Sequence, residues 1–314
     1  MLRSLFIAVI LLLSACRETP NPPLRIAINP WPGYEFLYLA ERLKLFEAEG
    51  VEVRILQFSS LNDSRRAFEL GKADGFGGTL IETLIAAQNS QRRPQVVYLP
   101  DYSNGGDLII ARRNIDSLEA LAGKRVAIEP GTLNGYILAR ALAHRGVNLQ
   151  TVQQVGMPQA EMHRALTHGE IDAAVTYAPF SVDMLKNSQL QPLFSTREIP
   201  GEVLDVLAID ASVVQQRREQ VDGLLRAFNR ALLYSRAHPQ EAYAIMAARE
   251  GISAEDFRNA VEHDLKMLDS TDQAAFHGHD QRLFKALQAT QQVLLDSGEL
   301  RQPQPLATLI APQP

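Results

Sequence analysis

Acidic, aromatic and hydroxyl side chains gather where this chain turns: Asp101, Glu129 and Asp205 beside Trp31, Tyr34, Tyr102, Tyr177, Thr79, Thr132 and Asn134. Carboxylates attract charged N–H donors, and aromatic faces stack on flat groups or lie against a cation. The same turns carry Glu35 and Asp107 as well, and no Lys or Arg. A site for a dianion presents Arg, Lys or several helix ends. The chemistry expected of this set is capture, without covalent change, of a small nitrogen-containing molecule that is cationic or zwitterionic. Sulfonate and nitrate are poorer fits.

Signatures of catalysis are missing. There is no Gly-x-Ser-x-Gly turn and no phosphate-binding Gly-x-x-x-x-Gly-Lys-Ser/Thr loop. Phe276-His277-Gly278-His279-Asp280, with His263 and Asp264 nearby in sequence, offers a His-x-His pair, but spacing places no third metal ligand. A solvated turn is the plainer reading. His144, His163 and His168 fall on helices as surface or packing residues. No catalytic residue, metal or cofactor is expected.

The elements that must position these residues alternate. Strands are expected at Leu24–Ile28, Val51–Leu56, Ala73–Gly78, Val96–Leu99, Leu108–Ala111 and Arg125–Ile128, from Thr151, and at Ile171–Thr176 and Val203–Ile209. Between them apolar residues recur at helical spacing, as in Phe36, Leu39, Ala40, Leu43 and Phe46, closed by Gly50. Thr79 and Thr132 stand where helices begin. Alternation of this kind implies an α/β protein with parallel βαβ units. Beyond Ile209 the chain reads as helical, with a stripe at Val221, Leu224, Leu225, Phe228, Ala231 and Leu232 and segments at Pro239–Ala248, Ala254–Leu268 and Gln281–Asp296. Gly-x-x-Asp occurs twice where a helix gives way to a strand, at Gly71–Asp74 and Gly169–Asp172. This is either ordinary turn chemistry or the mark of two similar lobes.

Length and charge narrow the class. A chain of 314 residues holds two lobes of ordinary size. Its net charge of −5, without clustered basic residues, excludes the footprint of a nucleic-acid binder. Met1-Leu2-Arg3, the apolar run Leu5–Leu13 and Ser14-Ala15-Cys16 have the layout of an export signal, too short to span a bilayer. Small residues before the single Cys make a bacterial lipobox, so residues 1–16 read as a leader ending at a lipidated Cys16. Residues 17–23, with three prolines, read as a stiff tether.

Several motifs in order carry a family resemblance. They are Trp31-Pro32-Gly33-Tyr34 with Leu37-Tyr38-Leu39-Ala40, Phe46-x-x-x-Gly50-Val51-x-Val53, and Gly71-x-Ala73-Asp74. Ser117-Leu118-x-x-Leu121-x-Gly123-Lys124-x-Val126-Ala127, Gly131-Thr132, Gly169-x-Ile171-Asp172-Ala173 and His238-Pro239-x-Glu241-Ala242 follow. Over about Leu24–Ala248 the chain resembles the solute-binding proteins of ABC importers for nitrate, sulfonates, taurine and thiamine-pyrimidine precursors. That resemblance implies a two-lobe type II periplasmic-binding-protein fold with a hinge and a helical C-terminal tail. Lobe 1 would span 24–106 and lobe 2 107–201, with 202–314 returning to lobe 1. The crossings would lie near Gly105–Asp107 and Gly201–Asp205. It implies a protein that passes its ligand to an ABC permease or reports it to a membrane sensor; with the lipidated Cys16 read above, a monomer anchored by lipid in the periplasm is expected. Arg17 after the lipidated Cys tilts the anchor toward the outer membrane. Some relatives of this fold are enzymes, a third possibility.

In open α/β sheets ligands lie at the carboxyl ends of strands, which makes the turn residues the candidate site. Trp31, on a turn stiffened by Pro30 and Pro32, is either a stacking platform or a packing aromatic. Tyr34 and Tyr177 divide the same way. Thr79 and Thr132 are caps or ligand contacts, roles that can coexist. Glu129 and Asn134 flank the second helix start. Asp101 and Tyr102 lead into a glycine-rich crossing suited to a hinge, and Asp205 stands at the other crossing.

Overall fold

The computed structural model describes residues 22–277 and 281–312. The leader with Cys16, most of the tether, and Gly278, His279 and Asp280 of the His-x-His turn lie outside them. The first run comprises β1 (Leu24–Ile28), α1 (Glu35–Arg42), α2 (Leu45–Ala48), β2 (Val53–Gln57), α3 (Leu61–Glu69), β3 (Gly75–Thr79), α4 (Leu80–Asn89) and β4 (Pro94–Tyr98). A short β5 (Asp101–Ser103) leads to the second run: β6 (Asp107–Arg112), β7 (Arg125–Ile128), α5 (Leu133–His144), β8 (Gln153–Gly156), α6 (Gln159–His168), β9 (Ala173–Tyr177), α7 (Phe180–Leu185) and β10 (Leu190–Ser195). The chain then returns through β11 (Asp205–Asp210), α8 (Ala211–Gln216), α9 (Arg218–Ala237), α10 (Pro239–Glu250), α11 (Ala254–Asn259), β12 (Leu265–Met267), α12 (Ser270–His277) and α13 (Arg282–Asp296).

The two five-stranded sheets share one topology. The first runs β2-β1-β3-β11-β4 and the second β8-β7-β9-β6-β10. In each, three parallel strands are followed by one antiparallel strand, β11 or β6. The repeated Gly-x-x-Asp now has a physical cause. Asp74 accepts from the backbone N of Arg25 at 2.9 Å and binds its guanidinium; Asp172 accepts from the backbone N of Arg125 at 2.9 Å and binds that guanidinium. In each lobe the aspartate ties the start of the third strand to the start of the first.

The first lobe's core joins β1, α1 and β4 to α9 and α10, with Phe228 against Phe36 and Tyr98 at ring distances of 5.9 and 5.1 Å. Each such fully buried apolar side chain contributes about 1.5–3 kcal/mol of transfer free energy. Burial on this scale fixes the C-terminal helices to the first sheet.

One expectation fails here. The segment read as one helix, Ala254–Leu268, is helical only to Asn259; a wide π turn spans Ala260–Asp264, and Leu265–Met267 is a strand. The spacing of Phe257, Val261, Leu265 and Leu268, all buried, imitates a helical stripe. Pairing decides otherwise: β12 bonds antiparallel to β5, with Leu265 opposite Ser103. The stretch that leads into the crossing is accordingly a strand over Asp101–Ser103.

Candidate ligand-binding site

Both antiparallel strands begin with an aspartate, and register puts each beside the last residue of the third parallel strand. Asp205 of β11 lies opposite Thr79 of β3, and Asp107 of β6 lies opposite Tyr177 of β9. The strand tips of the two sheets face each other across a narrow cavity of about 10 Å³, room for about one water molecule. Asn29, Trp31, Tyr34, Leu61, Thr79 and Asp205 line it from the first sheet's side, and Asp107, Leu133 and Tyr177 from the second. No Lys or Arg is among them. A buried cation at the cleft, Arg65, is bound to Glu69 and to Asn62 Oδ1.

The turn after β1 shapes one wall. Tyr34 N donates to Trp31 O at 2.9 Å, closing the turn, and both rings are buried. Gly33 is required there, since a Cβ would overlap Asp101 Oδ2. A Cβ at Gly106 would meet the Trp31 ring at 2.8 Å, so the indole rests on the bend between β5 and β6. Trp31 meets Tyr177 edge-on at 5.9 Å across the cleft. Asn29 Nδ2 lies 3.4 Å from the Tyr177 hydroxyl.

Buried acid dominates the electrostatics. Burial pushes Asp107 up to about 7. Asp101 also rises to about 7, first through burial, and the Asp205 carboxyl and Trp31 indole beside it offset part of that rise. Asp205 is driven well above the carboxylate range by burial and by the charge of Asp101. The hydroxyl of Tyr34 lies 2.7 Å from Gly78 O and also contacts Asp205. One hydroxyl proton cannot serve both acceptors. A protonated Asp205 donating to Tyr34, which donates to Gly78 O, satisfies the chain. Both oxygens of Asp101 and of Asp107, and Asp205 Oδ2, are buried without a well-formed hydrogen bond. Such acceptors carry a desolvation cost until a donor reaches them.

The expected site residues separate into groups. Trp31, Tyr34, Thr79, Tyr177 and Asp205 line the cavity. Asp101 lies just behind them. Glu129, Thr132 and Asn134 are buried at the start of α5 and bond within the protein, while Glu129 Oε2 and Asn134 Nδ2 are buried without a partner. Thr132 Oγ1 donates to Glu129 O, Asn134 Oδ1 accepts from Glu129 N, and Glu129 Oε1 accepts from Asn62 N at 3.1 Å. Tyr102 is half-buried on β5, opposite Lys266, and does not reach the cavity. Glu35 is sealed against Arg249 in the first lobe. Asn29, Leu61, Asp107 and Leu133 were not singled out as contacts. Nor was Glu82, wholly buried, although its signal was present: Thr79-x-x-Glu82 is a capping box, and both of its bonds form. Among the described residues no group of His, Cys, Asp and Glu could hold a metal ion, and no helix is long and apolar enough to cross a membrane. A roomier groove of about 160 Å³, lined by Val97, Arg218 and Asn229 among others, shares no residue with this cavity, and none of its lining residues holds an unpaired buried polar atom.

The family model described as NMT1/THI5 like matches residues 31–242, about two thirds of the chain and every strand of the two five-stranded sheets except β1. The chain belongs to the NMT1/THI5-like family. A curated binding protein of Brucella abortus (strain 2308) is 23% identical to this NMT1/THI5-like chain over 238 residues, 72% of this chain and 71% of the relative. The alkanesulfonate-binding protein SsuA of Xanthomonas axonopodis pv. citri, solved with MOPS bound, superposes with a TM-score of 0.80 at 16% identity, covering 94% of this chain and 99% of its own. The desulfurization enzyme DszB superposes at 0.67 with 17% identity, covering 92% and 97%. The NMT1/THI5-like chain therefore has the two-lobe periplasmic-binding-protein fold, a fold that binding proteins share with at least one enzyme.

Proposed function

We propose that this protein is an extracytoplasmic solute-binding protein that captures a small cationic or zwitterionic nitrogen compound between its lobes and delivers it to an ABC permease. One observation carries the ligand class: Asp107 and Asp205 line the cavity from opposite sheets, with Asp101 close behind and no basic residue in the lining. The oxygens of Asp107 and Asp205 Oδ2, buried without a well-formed hydrogen bond, match an ammonium or N–H groups. Aromatic rings of Trp31, Tyr34 and Tyr177 suit the apolar part of such a ligand. The binding-protein relatives support the transport role, and the two crossings between the sheets suit a hinge. The Leu13–Cys16 stretch supports lipid anchoring on the periplasmic side of a membrane, and Arg17 supports the outer membrane. The sulfonate ligand named for the Xanthomonas protein is a poorer fit here, because the cavity lining is acidic and carries no basic residue.

A thermal-shift screen of primary amines, quaternary amines, nitrogen heterocycles and alkanesulfonates tests the proposal. Stabilisation by members of the nitrogen classes is expected. A screen in which sulfonates alone raise the transition would overturn it.

A further inference from the structure

Two carboxylates cross the cleft in opposite directions, and each lands on a helix start. Glu82, on α4 of the first lobe, accepts at Oε1 from Leu133 N, the first residue of α5 in the second lobe, at 2.7 Å. Its Oε2 accepts from Thr79 N at 2.9 Å and from Thr79 Oγ1 at 2.5 Å. Glu129, at the end of β7 in the second lobe, accepts at Oε1 from Asn62 N in the first turn of α3 in the first lobe, at 3.1 Å. Both residues are buried. A third carboxylate, Glu299, closes on α5 so tightly that a Cβ at Gly135 would overlap its Oε1.

Helix starts present unpaired N–H groups and a partial positive charge, which makes them the natural seats for an anion. Here one N–H at each of these two helix starts is already taken from within the chain. We infer that Glu82 and Glu129 are built-in anions that latch the lobes together and bar acidic ligands from the helix starts. The inference rests on reading the cleft as the ligand site, but it concerns what the cleft refuses rather than what it accepts. A sulfonate or carboxylate ligand would have to displace a buried carboxylate and then sit beside it. Both halves of each latch belong to the chain, so the closing contact does not depend on the ligand's chemistry. Glu82 fits this double role because a carboxylate has two accepting oxygens; a glutamine has one, and could serve Leu133 N or Thr79 N but not both.

The test uses purified wild-type protein, Glu82→Ala, Glu82→Gln and Glu129→Gln, with folding checked by circular dichroism. Ethanesulfonate is titrated by calorimetry, and lobe separation is read by small-angle scattering without added ligand. The expected result is a wider radius of gyration in each folded variant and a gain in ethanesulfonate affinity of roughly tenfold to a hundredfold for Glu82→Ala, the worth of a hydrogen bond to a charged group. Should Glu82→Ala fail to fold, Glu82→Gln and Glu129→Gln carry the same readouts. Folded variants that scatter like wild type, or that gain nothing for ethanesulfonate, overturn the inference. Failure of wild type to bind amines would instead sink the ligand-class proposal and leave these outcomes readable.

Discussion

Replacing Asp107 with asparagine should stabilise the ligand-free protein while weakening its grip on an amine. Asp107 is fully buried, its carboxyl oxygens lack well-formed hydrogen bonds, and burial raises its pKa to about 7. An unfolded aspartate titrates near 3.9. The folded state therefore holds this proton more tightly, so Asp107's contribution to stability is full below about pH 4 and is lost as pH rises through about 7. The gap is about 3 pH units at 1.36 kcal/mol each, on the order of 4 kcal/mol. The neutral amide removes that penalty. At pH 8 the Asp107→Asn variant should melt roughly 5–10 °C above wild type, and its stability should change less between pH 5 and pH 8. The same change deletes a carboxylate partner of the ligand and should weaken amine binding about tenfold to a hundredfold. Thermal melts across pH give the first quantity and calorimetry the second. A variant less stable than wild type at pH 8, with an unchanged pH slope, would refute the reasoning.

Other consequences follow from the same geometry. Amine binding should release protons near pH 6.5, because a cation lowers the raised carboxyls; calorimetry in two buffers of different ionisation enthalpy should show a heat difference, and equal heats would contradict it. Gly33→Ala should cost about 1–3 kcal/mol and abolish binding, because the new Cβ overlaps Asp101 Oδ2; urea unfolding measures the cost. Asp74→Ala should cost about 1–3 kcal/mol at pH 7 and little at pH 2. Against the opposing effect of burial, its carboxyl is held below the usual range by the Arg25 side chain and backbone N–H, so its contribution is present above pH 4 and lost as pH falls. Trp31 is the single Trp and lines the cavity, so ligand binding should change indole fluorescence, and Trp31→Phe should remove that signal while preserving the fold.

The α/β alternation and the helix starts at Thr79 and Thr132 were legible because they rest on local signals: period-two runs, apolar stripes and capping residues. The paired Gly-x-x-Asp motifs were visible, but their cause was not, since Asp74 and Asp172 act on strands 49 and 47 residues away. The strand Leu265–Met267 was unreadable for the same reason, its partner lying at Asp101–Ser103. Site residues on the turn after β1 were found because Trp31 and Tyr34 stand out by type. Asp107 and Glu82 were harder. One opens a strand and the other sits in the first turn of a helix, and only the approach of the two sheets gives either a task.

The most direct test is a crystal structure of the protein with a bound amine. The account predicts the ligand nitrogen between the two sheets, within hydrogen-bond distance of Asp107 and Asp205, with the rings of Trp31 and Tyr177 against its apolar part. An amine found instead in the groove beside Arg218 and Asn229, with the cavity between the sheets unchanged, would contradict it.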